Sequence, residues 1–205
     1  MRFRPAGPGA LLVEVDSLAQ VRALHARIER ERASGWAPGL VDVIPAARTV
    51  LLDGVADRTA LAADLRSWSI EPSPPAAGQV VEIACRYDGP DLRDVARQWG
   101  VPPERVADIH SRLSHEVAFC GFAPGFPYIA GLGGGHEVTR RDRPRPALPA
   151  GSVGLGDEYT GIYPRNSPGG WQIIGHTDAV MWDPGREPAA LLRPGDRVRF
   201  VNVTP

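Results

Sequence analysis

The chain contains no lysine; all 23 of its basic residues are arginine. It therefore cannot carry biotin or lipoate on a lysine of its own, nor form a Schiff base with pyridoxal phosphate. A Walker A phosphate loop is excluded too, because Gly133-Gly134-Gly135 is not followed by Lys-Ser. Cysteine is scarce. Cys85 and Cys120 make neither a disulfide framework nor a cysteine-rich zinc site. Both fall inside predicted strands, as buried structural thiols, and the expected location is cytoplasmic. A net charge of −1 leaves no electrostatic case for nucleic acid or an anionic membrane. No apolar run approaches the ~20 residues that span a bilayer. The opening Met1-Arg2-Phe3-Arg4-Pro5 lacks the apolar core of a signal peptide.

Glycine, by contrast, is concentrated. Thirteen of the 23 glycines lie between Gly121 and Gly175. An interior glycine costs a helix about 1 kcal/mol relative to alanine, so this stretch predicts short strands joined by shaped loops. Ser152-Val153, Tyr159 to Tyr163 and Trp171 to Ile174 supply the strand-forming runs.

Taken in order, Ala10 to Val15 reads as a strand. Ser17 and Gln20 form a capping box ahead of a helix carrying Leu18, Val21, Leu24 and Ile28. Val41 to Ile44 and Thr49 to Leu52 are two short strands, and Arg58 to Trp68 a second helix. That order suits a small α+β domain, residues 1–77. Glu71 to Gly78 is a proline-rich break and marks the domain boundary. From 78 to 205 the pattern is mostly β with a helical insertion. Gln79 to Arg86 is a strand. Asp91 to Trp99 is an amphipathic helix with Asp91 at its N-terminus. Pro102-Pro103 starts another helix, and a strand ends at Cys120. The tail is strand-like at Ala179 to Trp182, Leu191-Leu192 and Val198 to Val203. A closed barrel would leave no exposed edges.

The chemistry on offer is limited. There is no Gly-x-Ser-x-Gly elbow, and Cys120 sits in an apolar strand, so a covalent nucleophile is not expected. Five scattered histidines predict no metal site. Anion binding fits better. Arg140, Arg141, Arg143 and Arg145 crowd one loop, and Arg165 sits in another; guanidinium forks and the N–H groups of glycine loops suit carboxylate or phosphate. A solvated basic loop is the alternative for the first three. His176, with Thr177, ends an apolar strand, either as ligand or general acid/base or as a histidine satisfied by the fold. His110 lies on an apolar helical face, where a core histidine bonded to a backbone carbonyl is one reading and a catalytic one the other. Tyr159, Thr160 and Tyr163 either line a pocket or pack.

Phe122 to Tyr128, Arg145, Pro149 to Gly154 and Gly161 to Thr177 together resemble one family. It contains the B-type subunit of 5-oxoprolinase, allophanate hydrolase subunit 1, the Kip-type histidine-kinase inhibitors and half of the carboxyltransferase domain of urea carboxylase. The resemblance covers essentially the whole chain, extending to Ile44-Pro45, His110-Ser111 and Leu192 to Asp196, and departs at Ser114-His115-Glu116. It implies a cyclophilin-like β-barrel after a small α+β domain. It implies His176, Arg145 and His110 as catalytic candidates. Gly125, Tyr128, Gly151, Ser152, Tyr163, Ser167, Gly169, Gly170 and Thr177 follow as binding residues. The implied activity is the ATP-dependent opening of 5-oxo-L-proline to L-glutamate, with magnesium and ATP acting in a complex with C-type and A-type subunits. A lactam is a poor electrophile, and phosphorylating its oxygen would create a leaving group; that calls for positioned cations rather than covalent help. The alternatives are a carboxyltransferase half-domain acting on a urea-type amide, with biotin on a separate carrier, and a non-enzymatic kinase regulator. The broken segment Phe122 to Tyr128 is expected to form no continuous strand and to meet the C-type partner, alongside the loops around Gly151 and Gly169; the alternative is that its rings plug the end of the barrel.

Overall fold

The computed structural model describes residues 1–71 and 78–204, so the expected boundary in the proline-rich stretch falls outside the described residues except at its two ends. Contacts divide the chain into two compact units, Met1–Ala76 and Ala77–Pro205.

The first unit runs β1 (Arg2–Pro5), β2 (Ala10–Glu14), α1 (Leu18–Ala33), β3 (Asp42–Pro45), β4 (Thr49–Asp53) and α2 (Arg58–Arg66). Its sheet is antiparallel in the order β1-β2-β4-β3. Ser17 caps α1 by accepting from the Gln20 N–H at 3.3 Å, while the Gln20 side chain accepts from Asp16 N–H at 2.8 Å. Asp57 caps α2 in the same manner. Val13, Leu24, Ile28, Val50, Leu52 and Leu65 are fully buried and join sheet to helices. β1 was not expected, since its charged residues hide the strand signal: Arg2 and Arg4 both pair with Glu14 on the neighbouring strand.

The second unit comprises β5 (Val80–Cys85), α3 (Leu92–Trp99), α4 (Pro103–Arg112), β6 (His115–Cys120), β7 (Pro127–Ala130), β8 (Arg145–Leu148), β9 (Ser152–Gly156), β10 (Tyr159–Ile162), β11 (Ser167–Gly169), β12 (Gln172–His176) and β13 (Arg197–Asn202). Seven strands form one sheet in the order β12-β9-β10-β7-β6-β13-β5. Its two ends meet where Arg86 and His176 exchange both backbone hydrogen bonds at 2.9 Å, making a nearly closed barrel. β8 and β11 form a separate ribbon. Ile83, Val117, Ile129, Val153, Leu155, Ile162 and Phe200 fill the interior, and α3 and α4 add Val95, Ala96 and Val106 to the same core.

Phe122 to Tyr128 forms no continuous strand, as expected; β7 begins only at Pro127, in the first position of the strand, where the missing N–H is tolerated, and pairs on both sides. One expectation is corrected. Ala179 to Trp182 and Leu191-Leu192 form no strands: one bridge joins Trp182 to Ala190, and the Arg186 guanidinium takes up the carbonyls of Val180, Pro188 and Ala189. Asp91 stands at the N-terminus of α3, as expected, but makes no side-chain cap; its carboxylate is used elsewhere.

Candidate functional site

Alternation along the strands decides what the outer barrel wall presents. Ile129, Val153, Leu155 and Ile162 face the core, so Tyr128, Gly154, Gly156, Tyr159 and Gly161 face out. The glycines make a floor without side chains. A Cβ on Gly156 would sit 2.8 Å from the Trp171 ring, and one on Gly161 2.7 Å from Phe126 and 2.8 Å from Trp171. Aromatic rings therefore lie directly on the sheet. Phe126 meets Tyr163 at 5.1 Å and Trp171 at 5.6 Å, both edge to face, and Phe119 stacks on Tyr128 at 4.3 Å. Above this layer opens a cleft of about 240 Å³, bounded by Phe122, Tyr128 and Tyr163, by Arg140 and Arg141, and by Gly169, Gly170 and Trp171. Phe122 is 60% exposed at its mouth and holds φ at +66°, an unusual backbone for a bulky residue. Burial, with Tyr128 nearby, pushes the Tyr163 phenol up to about 12, so it stays neutral.

Behind the cleft, Asp91 is 2% exposed and accepts four hydrogen bonds. Arg145 gives two at 2.8 Å, Arg141 one at 2.9 Å, and the Ile173 backbone N–H one at 2.7 Å. Burial alone raises this carboxyl, but the Arg145 and Ile173 hydrogen bonds and the two guanidinium charges outweigh it and hold it below the usual carboxylate range. Arg140 lies over Trp171, 5.6 Å from the ring centroid, and pairs with Asp157 at 2.8 Å.

The sequence matches the family of the carboxyltransferase domain, subdomain C and D, over residues 1–192. The chain belongs to that family. A curated relative, the B-type subunit of 5-oxoprolinase from Escherichia coli O157:H7, is 40% identical over 80% of this chain and 78% of its own length. Among solved structures, TTHA0988 superposes with a TM-score of 0.76 at 36% identity; the match covers 96% of this chain and 40% of that one, so this chain spans less than half of that relative. Kluyveromyces lactis urea carboxylase gives a TM-score of 0.80 at 22% identity, over 98% of this chain and 22% of that one, which shows a common fold.

In this carboxyltransferase-domain protein the sequence-derived candidates fall in three places. Tyr128, Tyr163, Gly169 and Gly170 line the cleft. Gly125, at φ +79°, backs the Phe122 loop against Trp182, and Ser167 is buried in β11 with its hydroxyl donating to Arg165 O. A second group lies where β9 meets β12. There Gly151 N–H donates to Tyr163 O, Thr177 N–H to Gly151 O, and the Ser152 hydroxyl to Pro149 O. His176 Nδ1 lies 2.8 Å from Asp88 Oδ1, partly exposed; His176 is not among the cleft residues. His110 stands apart. It is 0% exposed, between Tyr87 Oη at 2.8 Å and Thr160 Oγ1 at 3.0 Å. Burial, then the neighbouring His115, holds its pKa well below the ordinary value. His110 is thus a core histidine, but its ring partners are hydroxyls rather than the expected backbone carbonyl. Arg145 is no free anion receptor, since its fork is filled by Asp91. Burial pushes the Cys85 and Cys120 thiols up to about 12 and about 11, as befits structural cysteines. Among the described residues no three His, Cys, Asp or Glu side chains cluster to hold a metal. The cleft itself, edged by guanidinium groups, has no carboxylate in its lining to offer a magnesium ion. Sequence reasoning missed Asp91 and the glycine floor; the first shows only once folding joins residues far apart in the chain.

Proposed function

We propose that this chain is the B-type subunit of an ATP-dependent 5-oxoprolinase, working with C-type and A-type subunits to open 5-oxo-L-proline to L-glutamate. The observation that carries the reading is the 40% identity to a 5-oxoprolinase B-type subunit over most of both chains. The site is consistent with a share in such work. It offers an aromatic cleft edged by guanidinium groups and no nucleophile, which suits binding and orienting a small amide rather than attacking it. ATP and magnesium are then held largely by the partners, and the chain alone is inactive. Phe122 and Trp182, 60% and 40% exposed, are the apolar surface we assign to the C-type partner; Phe126 and Pro127, expected there as well, are buried in the barrel wall instead. A cyclophilin-like barrel preceded by a separate α+β domain, and a cytoplasmic location, belong to the same reading.

The test is reconstitution. The three subunits together should hydrolyse ATP in a 5-oxoproline-dependent manner, and this chain alone should not. Full activity from the isolated chain would overturn the subunit assignment. Carboxylation of a urea-type amide, with a biotin carrier supplied, would move the protein to the carboxyltransferase reading.

A further inference from the structure

We propose that the cleft over Trp171 seats a small carboxylic acid, its carboxylate at Arg141 and its flat body against the aromatic wall, and that it takes no nucleotide. The identity of the acid rests on the function proposed above; the assignment of the cleft rests on three observations.

The first is a count of charges. Arg141 and Arg145 share the single carboxylate of Asp91, whereas Arg140 has Asp157. Asp142 and Arg143 of the same loop cancel in the count, and one positive charge is left over. Asp94 also acts on Arg145 electrostatically, but it already pairs with Arg97 at 3.1 Å. Asp91 is buried, while the Arg141 and Arg145 side chains are 31% and 24% exposed, so the surplus sits on the solvent side.

The second is unused bonding capacity. Among the described residues the Arg141 guanidinium gives one hydrogen bond, from Nη1 to Asp91, while its side chain stays 31% exposed, so other terminal N–H donors are open to a ligand. A guanidinium carries five donors in a planar fork suited to carboxylate. Arg141 borders the cleft, with Gly169 and Gly170 beside it.

The third is size and shape. The cleft holds about 240 Å³, below the roughly 300–1,000 Å³ of sites for drug-sized ligands. A water molecule occupies about 30 Å³ of liquid, so the cleft admits on the order of ten non-hydrogen atoms. A five-membered lactam acid has that size, and a nucleoside triphosphate far exceeds it. Phe122 and Tyr128 supply the accessible aromatic surface for the ring, and Trp171, 5% exposed between the glycine floor and Arg140, lies in the cleft wall beside it.

The experiment is a titration of the full chain, alone and in the assembled complex, followed by tryptophan fluorescence and calorimetry. 5-Oxo-L-proline, its carboxylate-free counterpart 2-pyrrolidinone, and ATP are the probes. We expect saturable binding of 5-oxoproline, at least about tenfold weaker binding of 2-pyrrolidinone, as for loss of one hydrogen bond to a charged group, and no displacement by ATP. Trp171→Phe should remove the fluorescence response, leaving the other four tryptophans. Arg141→Gln should weaken the acid at least about tenfold without affecting 2-pyrrolidinone, and Arg141→Lys should recover part of that loss. Thermal unfolding of each variant reports whether it is folded. Displacement of 5-oxoproline by ATP, equal affinity for the acid and the neutral lactam, or unchanged binding in folded Arg141→Gln would each overturn the proposal. Acid binding that follows this pattern in a complex without 5-oxoproline-dependent ATP hydrolysis would sink the functional reading and leave the cleft standing. Hydrolysis indifferent to Arg141 and Trp171 would do the reverse.

Discussion

Replacing Asp91 by asparagine tests the ion cluster behind the cleft. The substitution is nearly isosteric and keeps an acceptor for the Ile173 N–H. Asparagine and aspartate are equivalent at a helix N-terminus, and Asp91 makes no side-chain cap, so α3 itself is little affected. What disappears is the charge that two guanidinium groups share. Breaking a buried pair typically costs about 3–5 kcal/mol. Arg141 and Arg145 are 31% and 24% exposed and regain some hydration, so about 2–3 kcal/mol is the appropriate range. For a unit of this size that lowers Tm by roughly 6–12 °C, read by differential scanning calorimetry at pH 7 together with the urea midpoint. The pH dependence follows from the depressed carboxyl. Its stabilisation is fully present above the unfolded value near 4 and fades as pH falls through the lower folded value. The gap between wild type and Asp91→Asn should therefore hold steady from pH 7 to about 5 and close in stronger acid. An unchanged midpoint at pH 7, or a gap that persists undiminished in acid, would refute the reasoning.

Two further outcomes are expected. Gly151→Ala should destabilise the barrel by at least about 2 kcal/mol in urea unfolding, because Gly151 sits at φ +80° and a Cβ there would lie 2.1 Å from Thr177 O; full tolerance would mean that the β9–β12 junction yields. His110, held well below its ordinary pKa by burial and by His115, with Tyr87 also facing it, stabilises the fold above pH ~6.5 and loses that contribution as pH falls. The urea midpoint should drop between pH 7.5 and 5, by up to ~1.4 kcal/mol per pH unit for one group, and the drop should shrink in His110→Gln; a flat wild-type profile would count against a neutral buried imidazole.

Periodicity was enough to locate α1, α2, α3 and α4, and the strand runs at Tyr159 and Trp171 were legible because β-branched and aromatic residues stand between glycines. β1 was hidden because Arg2 and Arg4 look like solvent-facing sequence until Glu14 is placed opposite them. Arg145 was picked out from its motif, yet its partner lies 54 residues away. No local pattern links a helix-start aspartate to a β-ribbon arginine. The cleft was half legible: Tyr128, Tyr163, Gly169 and Gly170 line it, but the purpose of Gly154, Gly156 and Gly161 depends on which face of the sheet each occupies, and that is set by pairing register. The exposed patch expected over Phe122 to Tyr128 shrank to Phe122 because Phe126 found the glycine floor.

β13 is the last of the described strands in sequence but an inner one in the sheet, lying between β6 and β5 and parallel to β5 along its whole length. During synthesis β5 and β6 emerge without the strand that separates them. At ordinary elongation rates, the stretch from Cys120 to Arg197 takes roughly 4–15 s to appear. For that interval both strands expose unpaired edges to whatever else is in the cell, including other nascent chains. The barrel is thus assembled by insertion of its final piece, and a ribosome that stalls before Arg197 leaves behind a sticky open sheet instead of a smaller working domain.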